Sequence, residues 1–256
     1  MNLAILQARM SSTRLPNKVL KEVNDKALLA YECERILNSK TIDKLIIATS
    51  EEESDNLIES FCKKNKIECF RGSLEDVLSR YYQCAKGYKE RNSIDKLNII
   101  RVTGDCPVID YQVIDEVIST FENGDYDYVS NTLTPTYPDG MDIEICSYEA
   151  LEYAYENATF KSDREHVTLY IKNGDRFRKF NHKAQHDFSH LRLTVDEESD
   201  FELIKNILEH LYVENKNFTY LDIIAYMSKN PNLFFVNSKI TRDEGLMKSL
   251  KEDGRI

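Results

Sequence analysis

Apolar and polar positions fall in alternating blocks along the first half of the chain. Residues 3–7 (LAILQ) are an unbroken apolar run, and residues 26–39 (KALLAYECERILNS) space Leu28, Leu29, Ile36 and Leu37 as a helix does. The blocks repeat: 44–50 (KLIIATS) predicts a strand, 54–65 a helix, 67–70 (IECF) a strand, 74–89 a helix and 97–103 (LNIIRVT) a strand, with a further helix from near Tyr111. Strands without polar alternation are buried on both faces. The pattern therefore predicts an α/β, Rossmann-like architecture with a mostly parallel central sheet flanked by helices. In such sheets ligands lie beyond the carboxyl ends of the strands. The loops 8–18, 48–50, 70–73 and 103–107 are thus expected to share one crevice.

Beyond residue 124 the regularity weakens. YDYVSN (126–131) and MDIEIC (141–146) read as strands around the turn-rich TLTPTYPDG (132–140). A helix over 162–173, strands near 176–180 and at 190–195, and a helix over 198–214 follow. No linker or repeat divides the chain, so one domain spanning 1–256 is expected, regular in 1–124 and elaborated in 125–256.

A net charge of -10 and a pI near 5.1 argue against a nucleic-acid partner, which calls for a broad basic face, so any anion site is local. No run of 18 apolar residues occurs and the N-terminus turns charged at Arg9. Neither membrane insertion nor a signal peptide is expected, and the protein reads as cytoplasmic. The six cysteines include no CxxC pair and fall mostly in apolar stretches, as buried thiols do. Cys106, beside Asp105, is the one with chemical neighbours.

The loop after the first strand, QARMSSTRLPNKVL, places Arg9, Arg14 and Lys18 within ten residues, with Ser11, Ser12 and Thr13 between them. Polyphosphate is the ligand that uses both cations and hydroxyls. Yet GxxxxGK[ST] is absent and the first glycine is Gly72, so side chains would replace a glycine cradle. A solvated basic loop is the plainer alternative. Asp105, just past the strand at 97–103, is placed to hold Mg²⁺ or merely to cap the next helix. A second carboxylate in the crevice decides for the metal, and Asp196 is the candidate; Glu197, Glu198 and Asp200 suit the first turn of a helix without other function. Asp139, Asp142 and Glu144, and Arg164, Glu165 and His166, are either solvated surface or an acceptor-recognition set. His182, His186 and His190 match no zinc spacing, and neither GxSxG nor GxGxxG is present.

These stretches resemble a family. QARMSSTRLPNKVL, FRGSLEDVLSRYYQCA, VTGDCPVID, YPDGMDIEI, DREHVTLYI, LRLTVDEESDFELI and RDEGLMKSLKED are similar to the SpsF-type, cytidylyltransferase-like proteins, relatives of the CMP-sialic acid and CMP-Kdo synthetases within the nucleotide-diphospho-sugar transferase fold. The resemblance implies that Arg9, Ser11, Arg14 and Lys18 hold phosphates, with Leu6, Ala8, Arg71, Gly72, Asp76 and Thr103 around the nucleotide and Arg71 near the cytosine. It implies Mg²⁺ on Asp105 and Asp196, with Arg9, Arg14, Lys18 and Asp105 as the catalytic set. Asp139, Asp142, Glu144, Arg164, Glu165, His166 and Arg192 would face the acceptor. Residues 1–124 then form the nucleotide-binding half, and 125–256 the acceptor-binding and homodimer-forming half. The sugar synthetases read PAR where this chain has Gln7, Ala8 and Arg9, and their arginine-rich acceptor pocket has no intact counterpart, which leaves the acceptor open.

The activity implied is Mg²⁺-dependent transfer of CMP from CTP to a sugar, sugar acid or phosphorylated acceptor, in surface polysaccharide or glycan synthesis. Two rivals stay open: a glycosyltransferase on the same fold, for which the DYD at 125–127 would be the metal motif, and a non-catalytic nucleotide-binding subunit.

Overall fold

The computed structural model describes residues 1–256. Strand β1 (Asn2–Gln7) is buried along nearly its whole length, and its two faces feed two cores. Leu3 and Ile5 point into one core, Ala4 and Leu6 into the other. The loop after β1 leads to a small hairpin, β2 (Glu22–Val23) and β3 (Lys26–Ala27). Its turn residues Asn24 and Asp25 both have positive φ, as a two-residue hairpin turn requires.

Helix α1 (Leu28–Leu37), β4 (Lys44–Ser50), α2 (Asn56–Asn65), β5 (Glu68–Gly72), α3 (Val77–Arg91), β6 (Asn98–Thr103) and α4 (Tyr111–Asn123) complete the regular half. β5, β4, β1 and β6 are parallel neighbours in that order. The chain thus leaves β1 toward one edge and returns to pair β6 on its other side. The loops after β1 and β6 diverge there, which opens a crevice at their carboxyl ends.

The sheet continues through the second half with β7 (Tyr128–Ser130), β8 (Glu144–Ser147) and β9 (Lys179–Asn181). β8 runs antiparallel to both β6 and β7, and β9 parallel to β7, closing the order β5-β4-β1-β6-β8-β7-β9. Helices α5 (Tyr148–Asn157), α6 (Lys161–Glu165), α7 (Leu169–Asn173), α8 (Glu198–Ile207), α9 (Tyr220–Lys229) and α10 (Glu244–Glu252) surround it. A mostly parallel sheet flanked by helices is the expected architecture.

Two expected elements differ. The helix over 162–173 is broken into α6 and α7, because Val167 between them takes φ 54°. The run 190–195 forms no strand of the sheet, only a bridge between Asp139 and Arg192. Its backbone bonds go to loops instead: Leu193 N–H donates to Asp139 O (2.6 Å) and Val195 N–H to Asp105 O (2.8 Å). This packing depends on Gly140, at φ +103°, where a Cβ would stand 2.6 Å from the Leu193 carbonyl carbon. Gly140→Ala is expected to destabilise the protein by about 1–3 kcal/mol. An unchanged urea midpoint would show that the approach is dispensable.

Candidate active site

The loop after β1 is tied down by hydrogen bonds of its own. Asp55, fully buried, accepts the Met10 N–H (2.7 Å) and both the N–H and the hydroxyl of Ser50, tying the loop to the end of β4. Asn17 N–H and Ser12 N–H both donate to Met10 O, and Asn17 itself takes φ 60°. A left-handed asparagine does here what glycine does elsewhere, and the short helical turn Lys18–Leu20 begins right after it.

That turn sends Lys18 into the crevice. Its ammonium donates to Asp105 Oδ2 (2.9 Å), Asp196 Oδ1 (2.8 Å) and the Val195 carbonyl (2.8 Å). Burial alone would lower its pKa, but the two carboxylates outweigh burial and hold it above the ordinary value. Burial likewise pushes Asp105 up, yet Lys18 and the Thr103 hydroxyl bring it down to about 2. Both groups are therefore charged at neutral pH.

Asp196 is shared. Its Oδ2 meets Arg14 Nη2 at 3.0 Å and Arg192 Nη2 at 2.7 Å. Arg192 also binds Asp139 (2.7 Å) and Asp200 (2.9 Å), which fixes the segment after residue 190 against the crevice wall. Asp139 is pushed up to about 7 by burial and by its neighbour Asp142. The C-terminal region adds the outer wall: Arg242 pairs with Asp142, Glu244 with Arg14 (3.2 Å), and the Ser249 hydroxyl with Glu165 (2.8 Å).

These walls enclose a cavity of about 870 Å³. Its lining mixes eight Lys and Arg side chains with nine Asp and Glu side chains, and places the carboxylate pair Asp105 and Asp196 at the switch point. No cluster of three or more His, Cys, Asp or Glu side chains gathers anywhere to bind a metal. Asp105 and Asp196, however, already converge on one cation, the Lys18 ammonium. Two carboxylates fit Mg²⁺, which completes its shell with water and phosphate oxygens.

The family model described as cytidylyltransferase matches residues 3–224. The chain belongs to the cytidylyltransferase family. It is 35% identical over 243 residues to the spore coat polysaccharide biosynthesis protein SpsF of Bacillus subtilis, covering 90% of this chain and 95% of that protein. An uncharacterized protein of Methanocaldococcus jannaschii is 36% identical over 241 residues, 93% and 95% of the two chains. Among solved structures, a cytidylyltransferase from Leptospira borgpetersenii superposes with a TM-score of 0.83 at 34% identity, over 94% of this chain and 98% of the other. This chain is accordingly a nucleotidyltransferase.

In this cytidylyltransferase the crevice brings together Ala8, Arg9, Arg14, Lys18, Thr103, Asp105, Asp139, Asp142, Glu165, His166, Arg192 and Asp196. Other residues singled out in the sequence are held elsewhere. Leu6 is fully buried in the core, and Ser11 is exposed outside the cavity, where Ser12 and Thr13 line it instead. Arg71 lies along the rim of β5, donating to the Ser50 and Glu52 carbonyls and to Glu59; Gly72 pairs beside it with Ser50. Asp76 caps α3 at Ser79 N–H and is gripped by Arg164, so neither faces the cavity. Glu144 is 3% exposed, enclosed by Arg101, Lys172, Tyr128 and Thr168. Its role is in the core.

The DYD at 125–127 lies away from the crevice, with Asp125 and Asp127 both paired to Arg178. His182 contacts Thr120 Oγ1 (3.0 Å), while His186 and His190 are exposed. Cys106 is buried with its thiol pushed up by burial and by Asp105. Sequence reasoning missed Arg80, Arg101, Lys161 and Lys248 as lining residues, since helix and strand cations carry no local signal.

Proposed function

We propose that this protein transfers CMP from CTP to a sugar, sugar acid or phosphorylated acceptor and releases pyrophosphate, in surface polysaccharide or glycan synthesis. The observation that carries the reading is the Lys18 ammonium held between Asp105 and Asp196, with Arg9 and Arg14 on the same loop. Such a set offers a triphosphate three cations beside a carboxylate pair. Mg²⁺ bound by Asp105 and Asp196 would polarise the phosphoryl oxygens and offset the charge that develops on them.

The chain's own residues do the rest. Arg9 and Arg14 present planar forks to phosphate oxygens and Lys18 supplies a point charge, so the leaving pyrophosphate is held in line with attack. The acceptor oxygen attacks the α-phosphorus as the bond to the β-phosphate oxygen breaks. Positioning and charge neutralisation carry the step without a covalent enzyme intermediate. The spore coat polysaccharide name of the Bacillus relative supports the pathway class.

A thermal-shift screen of the four nucleoside triphosphates with Mg²⁺ tests the reading. CTP is expected to raise the melting midpoint most, by the linkage of binding to folding. Stabilisation by ATP or GTP in preference to CTP would overturn the choice of base.

A further inference from the structure

The floor of the cavity holds polar groups that nothing in the protein satisfies. Arg80, in the first turns of α3, is 3% exposed, yet its Nε and Nη1 are buried without a hydrogen-bond partner. Its side chain makes no hydrogen bond or ion pair. Asp55, whose charge acts on it, has its oxygens taken by Met10 and Ser50. Gln7 Oε1, at the carboxyl end of β1, and Arg101 Nε, on the neighbouring β6, are buried and unpartnered too. Gln7 and Arg101 follow Leu3, Ile5 and Ile99 on the face of the sheet that α3 covers, and all three residues line the same cavity.

Buried donors and acceptors are almost always satisfied, so an orphaned set that lines an open cavity marks the place of a ligand. Three observations say what kind. The set includes an acceptor as well as donors, which a phosphate could not use. Three of the cavity's five apolar lining residues neighbour it along the chain: Leu74 in the turn before α3, Val77 at the start of α3, and Ala8 after Gln7. The cations fit for a triphosphate, Arg9, Arg14 and Lys18, are supplied by the loop above.

A donor–acceptor floor with these apolar neighbours suits a planar heterocycle presented edge-on. We infer that Arg80 and Gln7 read the edge of the nucleobase, Arg80 donating to the ring carbonyl and ring nitrogen of a pyrimidine while Gln7 Oε1 accepts from its exocyclic amino group. Cytosine offers both acceptors and that donor. The inference rests on the nucleotide reading above and assigns base recognition to Arg80 in place of Arg71, whose guanidinium is committed to Ser50, Glu52 and Glu59. Gly72 leaves room for it, since a Cβ there would stand 3.2 Å from Arg80 Cγ.

Calorimetric titration of wild type, Arg80→Gln and Gln7→Leu with CTP, UTP and inorganic tripolyphosphate separates the possibilities. Arg80→Gln is expected to weaken CTP binding about tenfold or more while tripolyphosphate binding is unchanged. Gln7→Leu, a smaller change to the fold, should narrow the preference for CTP over UTP. Equal loss for CTP and tripolyphosphate would make Arg80 a phosphate ligand and overturn the inference. Undiminished CTP affinity in Arg80→Gln, or an unaltered CTP preference in Gln7→Leu should Arg80→Gln not fold, overturns it as well. A wild type that holds tripolyphosphate but not CTP overturns the cytidylyltransferase reading itself, and base recognition with it.

Discussion

Replacing Asp105 by alanine is expected to abolish pyrophosphate release while leaving the protein folded. The carboxylate sits beyond the end of β6 and touches the Lys18 ammonium and the Cys106 thiol at the edge of the core. Its backbone carbonyl, which anchors Val195 N–H and the Thr194 hydroxyl, survives the substitution. Lys18 keeps Asp196 and the Val195 carbonyl, so no buried charge is stranded. Under the proposed function, what is lost is half of the carboxylate pair that would hold Mg²⁺. Loss of preorganised charge of this kind costs roughly a hundredfold or more in turnover. Pyrophosphate assay beside a thermal midpoint checks both halves, and near wild-type turnover would remove Asp105 from the metal role. Lys18 and the Thr103 hydroxyl hold Asp105 at about 2, so it is expected to keep its charge as pH falls from neutrality.

Glu144→Ala is expected to have the largest effect on stability, about 3–5 kcal/mol. Burial would raise the Glu144 carboxyl, but Lys172 and Arg101 hold it well below the usual carboxylate range, helped by the Thr168 and Tyr128 hydroxyls. Removing it leaves two cations and two hydroxyls around an empty centre. A depressed carboxylate pKa contributes stability that is complete above the unfolded value near 4.5 and is lost as pH falls toward the folded one. The variant should therefore unfold at lower urea at pH 7 and lie closer to wild type in strong acid. A urea midpoint at pH 7 equal to that of wild type would mean that the cluster contributes nothing.

Much of the fold could be read from the chain because β1 and β4 carry unbroken apolar runs and β6 is apolar but for Arg101, and only a strand covered on both faces needs that. The crevice followed from topology: once the strands are parallel, it opens between the loops after β1 and β6, and Lys18 and Asp105 join across it. The run 190–195 misled because its buried alternation serves two loops, through Asp105 and Asp139, and not a ladder. Glu144 misled for a similar reason, since one acid among alternating apolar residues looks the same whether it faces water or two buried cations. Arg80 was hidden because an arginine on an amphipathic helix ordinarily reaches solvent. Helices α5, α9 and α10 were not anticipated, their apolar spacing being short and broken by polar residues.

The glycine-free loop has a thermodynamic consequence. Glycine cradles are free in the unfolded chain and often still partly free in the folded one, so a ligand that closes them bears an ordering cost. Here Asn17 takes the left-handed turn and Asp55 clamps Met10, which places that cost in folding and outside binding. Under the proposed function, a triphosphate meeting this loop finds its backbone already set. Its association should be governed by charge and ionic strength, with little entropy lost from the backbone beneath it.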